Sequence, residues 1–503
     1  MEHVNVRLEP AGKSLRAPRG EPLQNLLFSH GVEFPCGGRA ACKGCRVRLL
    51  SGSAAIQPEE AALLTPEELE AGWRLACRLC PQQDITLEIA RWETPILVDD
   101  TPIRVAPREG LGIAVDLGTT TLVAQLVDLA SGRVLAVRTS LNPQAAYGSD
   151  VMSRIDAAVS RGAGPVLTGL IRTRVGELVA GLLVEAGPRA ASIADIVLVG
   201  NTVMHHLFCG YDVSPLAHVP FQTDRGGPAL FHPPELGWPC PASAAVRFLP
   251  CLGGFVGSDT LAGILATRMH ESKALVGLVD LGTNAEIVFG DSSGLVCASS
   301  AAGPAFEGGL ISAGMRAAAG AVFQVRRGPA GALCRVLGDG PPRGICGSGL
   351  VDAAAVGLDL GFIHPSGKLA AGTNPWTLHP PVSLTQSDIR ALQLAKGAIA
   401  AGIDLLLRRL GAAPGEVSRI YLSGAFGNYV DRHSARRIGL IEFPPEKVSP
   451  SGNTALLGAR LSLFEGTRDI AGLLRRIQHV RLAEEPGFQD AFASRMAFPA
   501  SAG

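Results

Sequence analysis

Five of the chain's eleven cysteines fall in its first eighty residues, and three of these lie in the stretch PCGGRAACKGC, Pro35 to Cys45. Cys36, Cys42 and Cys45 are spaced C-x5-C-x2-C, and Cys77 and Cys80 follow in WRLACRLC. Thiolates on a tight loop can bind one metal centre, and a distant cysteine closes a four-thiolate cage. A second constellation is of another kind. Asp116-Leu-Gly118-Thr119-Thr120 stands between two apolar runs, and Asp280-Leu-Gly282-Thr283-Asn284 repeats it. Such a turn suits polyphosphate. Glycine lets the backbone come close, hydroxyl and N–H groups bond phosphate oxygens, and the aspartate faces Mg2+ or a metal-bound water. One copy alone is a common turn; two copies suggest two similar lobes facing one another.

Four thiolates are open to zinc and to iron. Zinc sites usually pair two CxxC knuckles, whereas here one tight loop is matched with one distant cysteine. That pattern is similar to the [2Fe–2S] loop of ferredoxins, with the x5 gap of the adrenodoxin-like branch in place of the plant-type x4. Gly37, Gly38, Ala40, Ala41 and Gly44 are the small residues that let backbone N–H groups reach the sulfurs. Cys36, Cys42, Cys45 and Cys77 are the expected ligands. Cys80 competes for the fourth place, and the likeness of RLAC to a ferredoxin ending favours Cys77. Cys251, Cys297, Cys334 and Cys346 read as small buried hydrophobes.

The elements that position these residues follow from pattern. A chain of 503 residues is too long for one ordinary core, so two or three domains are expected. Lys+Arg and Asp+Glu are equal at 45 each, which gives no support for a nucleic acid or an anionic membrane surface as partner. No apolar run reaches the length of a membrane span, and MEHVNVRLEP alternates with charges, unlike a secretory signal. The expectation is a reduced, cytoplasmic protein with one metal cluster rather than a disulfide scaffold.

Residues 1–92 read as a β-grasp unit: an alternating strand in VNVRLEP, a helical run EPLQNLLFSHG, strands in CRVRLLSG and DITLEIA. Residues 93–110, with three prolines and no sustained period, read as a linker. Residues 111–503 form the remainder, with one lobe over about 111–270 and another over about 271–503. Each lobe opens with strand, DLGT turn, strand, glycine turn and strand. Helices are expected over roughly 150–187 and over 385–410, the latter opening on a Thr385-x-x-Asp388 capping box. Residues 213–250, rich in proline and aromatics, read as an irregular surface excursion. Neither GxxxxGK[ST] nor a GxGxxG between strand and helix occurs, so a P-loop and a Rossmann site are unsupported.

Two facing hairpins stand where phosphate-1 and phosphate-2 elements would, ICGSGLVDAAAVGL with Gly347 and Gly349 where a connecting-helix element would, and the glycine turn in IYLSGAFGNYV with Gly424 and Gly427 where an adenosine element would. In this the chain resembles the acetate and sugar kinase/Hsc70/actin (ASKHA) superfamily, which implies an α/β actin-like, ribonuclease H-like two-lobed fold behind an α+β ferredoxin-type domain. The segments NTVMHHLF, LPCLGGFVGSDTLAGIL, SSAAGPAFEGGLISAGMRAAAGAV and SDIRALQLAKGAIAAGI are similar to those of the reductive activators of corrinoid proteins, over almost the whole chain. That resemblance implies a one-electron transfer from a [2Fe–2S] cluster to Co(II) of a B12 protein, regenerating Co(I) for a methyltransferase system, with ATP and Mg2+ as cofactors. It also implies an upstream reductase or ferredoxin as donor, and admits a homodimer. Many relatives carry a further domain between the ferredoxin and ASKHA parts, whereas here only residues 93–110 separate them, which puts any oligomer contact made by such a domain in doubt.

On this reading Asp116, Asp280 and Glu286 are the catalytic candidates. Gly118, Thr119, Thr120, Gly282, Thr283, Asn284, Gly347, Gly349, Gly424 and Gly427 bind nucleotide. Glu286 could equally be a solvated strand carboxylate, and Glu307 either lines the cleft or is a helix N-terminal acid. His205 and His206 read as packing residues before metal ligands. The alternative function is a redox-gated ASKHA ATPase or small-molecule kinase, for which no acceptor pocket with a positioned base is visible.

Overall fold

The computed structural model describes residues 2–9, 13–28, 32, 40, 45–89, 103, 105–329, 331–338, 340–427, 429–464 and 467–500. Cys36 and Cys42, the end of the first helical run at Gly31, and most of the 93–110 segment lie outside them.

The N-terminal unit is a five-stranded mixed sheet in the spatial order Lys13–Pro18, His3–Glu9, Ile85–Glu88, Arg46–Ser51, Trp73–Leu75. In His3–Glu9 the strict alternation of the sequence becomes alternating burial, with Val4, Val6 and Leu8 packed on Val47, Leu75 and Leu87. The Pro/Glu-rich stretch forms two short helices, Pro58–Leu63 and Pro66–Glu70, each started by a capping box. Glu60 in the first is fully buried. It is satisfied there by the N–H groups of Gln57 and Leu75 at 2.9 and 2.8 Å, so it stitches the helix to the strand that leads into Cys77.

Among the described residues, the rest of the chain holds two six-stranded sheets that share a five-strand core and carry their sixth strand on opposite edges. The first runs Ala229–Phe231, Ala245–Phe248, Ile193–Gly200, Leu111–Leu117, Thr121–Asp128, Val134–Leu141. The second runs Val448–Pro450, Arg419–Ser423, Val276–Leu281, Ala285–Asp291, Gly294–Ser300, Ile477–His479. In each, an antiparallel three-strand meander is extended by a parallel strand on the open side of its first strand. Leu111–Leu117 and Val276–Leu281 are buried on both faces, as their near-continuous apolar sequence requires. Burying Ile113, Val115 and Leu117 contributes about 1.5–3 kcal/mol each, and these neighbours carry the one polar residue, Asp116, out of bulk water.

Three expectations are corrected. The helical stretch 150–187 is two helices, Val151–Ser160 and Gly164–Ala186, because Gly162 turns the chain with φ +64° and Pro165 starts a new helix. Residues 213–250 are not a surface excursion: strands Ala229–Phe231 and Ala245–Phe248 extend the first sheet, and Trp238, Val246 and Phe248 are buried in its core. Cys297 and Cys346 are buried, but Cys251 and Cys334 are only half-buried. The helix Gln386–Arg409 forms as its pattern demands, with Thr385 Oγ1 accepting the Asp388 N–H and Asp388 reaching back to Thr385 N–H at 2.8 Å.

Equivalent strands of the two sheets, Ala245–Phe248 and Val448–Pro450, lead to helices Ser258–Thr267 and Thr454–Leu461, which pack directly on one another. Their approach is close enough that a Cβ on Gly458 would lie 2.0 Å from the carbonyl oxygen of Ala262. This crossing joins the two sheets and aims both helix N-termini at the space between them.

Candidate functional site

A cavity of about 330 Å3 opens between the two sheets. Its walls bring together both DLGT hairpins: Asp116, Gly118, Thr119 and Thr120 from one, Asp280, Gly282, Thr283 and Asn284 from the other, with Glu286, Glu307, Gly347 and Gly424. Gly349 and Gly427 do not line it. Gly349 packs in the first turn of helix Gly347–Asp359 against the Val322 carbonyl, and Gly427 packs against Leu422. Gly424, at φ +85°, sits so near Asp280 that a Cβ there would lie 2.6 Å from its Oδ1.

The first hairpin is held by asparagines that sequence reasoning missed. Asn201 caps helix Thr202–Cys209 through its Oδ1, and its Nδ2 donates to Thr119 Oγ1 at 2.9 Å. Asn453 caps helix Thr454–Leu461, and its Nδ2 donates to Asp116 Oδ2 at 3.0 Å, a bond between the two lobes. The tripeptide Gly-Asn-Thr, at Gly200 and again at Gly452, was the available signal. From behind, the fully buried Arg154 donates to the Thr119 carbonyl and to Gln144 Oε1, and Asn142 donates to the Gly118 carbonyl at 3.0 Å.

The second hairpin is more acidic. Asp280 accepts from Ser423 Oγ at 2.8 Å and stands directly opposite Glu286 in the antiparallel register. Glu286 accepts from Ser299 Oγ at 3.2 Å. It lines the cavity and is not a solvated strand residue. Glu307, in the short 3-10 turn Pro304–Glu307, accepts from Thr283 Oγ1 at 2.7 Å. A further carboxylate, Asp259, enters from the first turn of helix Ser258–Thr267. Its signal was a Ser-Asp-Thr cluster before an apolar run, which marks a helix start but not its target.

Five carboxylates therefore line one cavity. Burial pushes Asp116 up to about 6, with Asn453 opposing and Asp280 adding to the rise. Burial raises Asp259, helped by the charges of Asp280 and Asp116. Asp280 is raised by burial against the Ser423 bond, and Glu286 is raised well above its ordinary range by burial and by the charges of Asp259 and Asp280. Such a floor wants a cation. Among the described residues, no three His, Cys, Asp or Glu side chains converge closely enough to cage an ion unaided. One or two of these carboxylates could hold a cation that keeps waters and is also bound by substrate phosphates, as Mg2+ is.

The thiol site builds from strand pairing. Arg46 faces Leu75, the Ala76 N–H donates to the Cys45 carbonyl at 3.0 Å, and the buried thiols of Cys45 and Cys77 come to 3.5 Å. The two are not disulfide-linked. Two thiolates about 2.3 Å from one tetrahedral metal stand about 3.8 Å apart, so the pair fits a shared metal atom. Cys80 is half-buried, and burial raises its thiol pKa.

The histidines are packing residues: His206 bonds the Thr202 carbonyl and Thr223 Oγ1 at 2.8 and 2.7 Å, and His205 stacks edge-on to Phe248.

A β-grasp unit with paired buried thiols, joined to a two-lobed actin-like fold with a carboxylate-floored cleft, defines an iron–sulfur ATPase. Residues 6–82 match the family of 2Fe-2S iron-sulfur cluster binding domains, residues 111–272 the RACo middle region, and residues 274–502 the C-terminal ASKHA domain of RACo. The chain is 33% identical over 438 residues to the corrinoid activation enzyme RamQ of Eubacterium limosum, covering 80% of this chain and 72% of that one. It is 27% identical over 430 residues to the [Co(II) methylated amine-specific corrinoid protein] reductase of Methanosarcina barkeri, covering 77% of each. The solved reductive activator for corrinoid,iron-sulfur protein superposes with a TM-score of 0.68 at 26% identity, over 99% of both chains. The chain belongs to the RACo family of corrinoid reductive activators.

Proposed function

We propose that this chain regenerates the Co(I) state of a corrinoid protein of a methyltransferase system, one electron held by a [2Fe–2S] cluster near −400 mV passing to Co(II) with ATP driving the uphill step. The observation that carries it is the pairing, in one RACo-family chain, of the Cys45–Cys77 thiols with a nucleotide-sized cavity between two DLGT hairpins. Cys36, Cys42, Cys45 and Cys77 are the four ligands of the cluster, in a unit spanning 1–92. Residues 93–110 link it to the ATPase unit, 111–503.

In that unit the backbone and hydroxyls of Gly118, Thr119, Thr120, Gly282, Thr283 and Asn284 hold phosphate oxygens. Gly347 and Gly424 leave room for the rest of the nucleotide. Asp116 and Asp280 orient Mg2+ and its waters, and Glu286 positions the attacking water. Asp259 shares this task. Each ~59 mV of uphill one-electron transfer costs about 1.4 kcal/mol. Closure of the lobes around nucleotide, across the Asn453–Asp116 bond, is the step that offsets it. An upstream reductase or ferredoxin refills the cluster, and a homodimer is the assembly this reading admits.

The test is direct. The protein is reduced anaerobically and mixed with a Co(II) corrinoid protein, and Co(I) absorbance is followed with and without ATP. Co(I) should form only with ATP. Its absence with an intact cluster and several partners would shift the reading to a redox-gated ATPase or kinase.

A further inference from the structure

The iron–sulfur unit meets the first lobe at a point tied to the first DLGT hairpin. Its helix Gln24–Phe28 opens with Gln24, whose Nε2 donates to the Ala146 carbonyl at 3.0 Å. The same helix belongs to the core that holds the thiols. Leu27 is buried in one cluster with Cys45 and Cys77, and the Leu23 N–H donates to the Leu79 carbonyl at 3.1 Å. Ala146 ends the 3-10 turn Pro143–Ala146, and from that turn a polar chain runs inward. Asn142, Gln144 and Arg154, its members, are fully buried. The Gln144 N–H donates to Asn142 Oδ1 at 3.0 Å, and Gln144 Nε2 donates to the Leu167 carbonyl at 2.9 Å, fixing the turn against helix Gly164–Ala186. Arg154 donates to Gln144 Oε1 at 3.2 Å and to the Thr119 carbonyl, while Asn142 Nδ2 donates to the Gly118 carbonyl at 3.0 Å.

The Gly118 and Thr119 carbonyls belong to the two planar peptide units whose N–H groups are those of Thr119 and Thr120. A peptide unit that accepts a bond at its carbonyl and donates one at its N–H is polarised by both, and each bond strengthens the other. Phosphate bound at the front of the hairpin therefore firms the Asn142 and Arg154 bonds behind it, and with them the turn that carries Ala146. We propose that Gln24 is a positioning residue: through Ala146, Gln144 and Arg154, nucleotide held by the first hairpin firms the seat of the iron–sulfur unit on the first lobe. This rests on the nucleotide-site reading above and adds the joint by which the occupied hairpin sets the orientation of the cluster-bearing unit.

The experiment is amide hydrogen exchange read by mass spectrometry on the full-length, cluster-loaded protein, with and without saturating Mg2+·ATP. Wild type, Gln24→Ala and Gln24→Lys are compared. In wild type, ATP should slow exchange about two- to tenfold both in the turn Pro143–Ala146 and in helix Gln24–Phe28. Gln24→Ala should keep the slowing in the turn and lose it in the helix. Gln24→Lys keeps a donor for the carbonyl and should behave as wild type. Equal slowing of the helix in Gln24→Ala, or none there in ATP-saturated wild type, overturns the inference while leaving the nucleotide site standing. Loss in Gln24→Lys as well assigns the effect to packing instead of the hydrogen bond and also overturns it. A wild type that does not bind Mg2+·ATP overturns the nucleotide site itself, and this inference with it.

Discussion

Asp116 and Asp280 are each the polar residue of a strand buried on both faces, so the packing that builds the sheets also removes these carboxylates from water. A carboxyl whose folded-state pKa is raised binds its proton more tightly folded than unfolded. The unliganded chain therefore loses stability as pH rises from the ordinary carboxylate range through the raised values, about 6 for Asp116. A cation–nucleotide complex needs the deprotonated forms, so its binding gains over the same window. The thermal shift produced by Mg2+·ATP should thus grow between about pH 5.5 and 7.5 while the unliganded midpoint falls; a shift independent of pH would rule out these carboxylates as the cation's ligands. Asp280→Asn should raise the unliganded midpoint by about 2–4 °C, by relieving repulsion with Glu286 and Asp259, and cut ATP turnover at least about 100-fold. Normal turnover in that variant would exclude the second hairpin from the chemistry.

At the scale of elements, the helix pair Ser258–Thr267 and Thr454–Leu461 delivers Asp259 and Asn453 to the cavity. Gly458→Ala places a methyl group against the Ala262 carbonyl, which neither backbone can avoid without separating the helices. The expected cost is about 1–3 kcal/mol in chemical denaturation, with nucleotide affinity lost alongside. Unchanged stability would mean that the helices have room to shift. Elements whose cues are local were legible in sequence: the Thr385 capping box, both DLGT hairpins, the alternation of His3–Glu9. The break at Gly162 carried a local signal in Gly162-Ala163-Gly164-Pro165, and taking 150–187 as one helical stretch passed over it. Strand Ala245–Phe248 was missed because four residues beside prolines show too little period. Asn201, Asn453 and Asp259 each carry a visible helix-start signal. What Asn453 and Asp259 aim at is decided by the crossing of two helices far apart in sequence, and what Asn201 aims at by the pairing of its strand Ile193–Gly200 with Leu111–Leu117, which no local pattern records.

For the whole molecule, the two chemistries should separate. Cys77→Ser should abolish the visible absorption of the cluster and Co(I) formation while ATP binding persists, since the thiols and the cavity belong to different sheets. Cys80→Ser should retain the cluster absorption. Loss of the cluster in Cys80→Ser but not in Cys77→Ser would reverse the assignment of the fourth ligand.

The cavity is shared by two repeats with a common five-strand core, yet they meet it with different residues. Val123 faces Asp116 across the first hairpin, while Glu286 faces Asp280 across the second. A clamp with matching jaws would take a linear polyphosphate either way round. Here one hairpin carries a second carboxylate, so on the proposed reading a cation would have a side to prefer, and the phosphate chain would acquire a head and a tail. On the proposed reading, the valine-for-glutamate difference opposite the two aspartates is one residue-level source of the polarity that would decide which phosphoanhydride bond faces the attacking water.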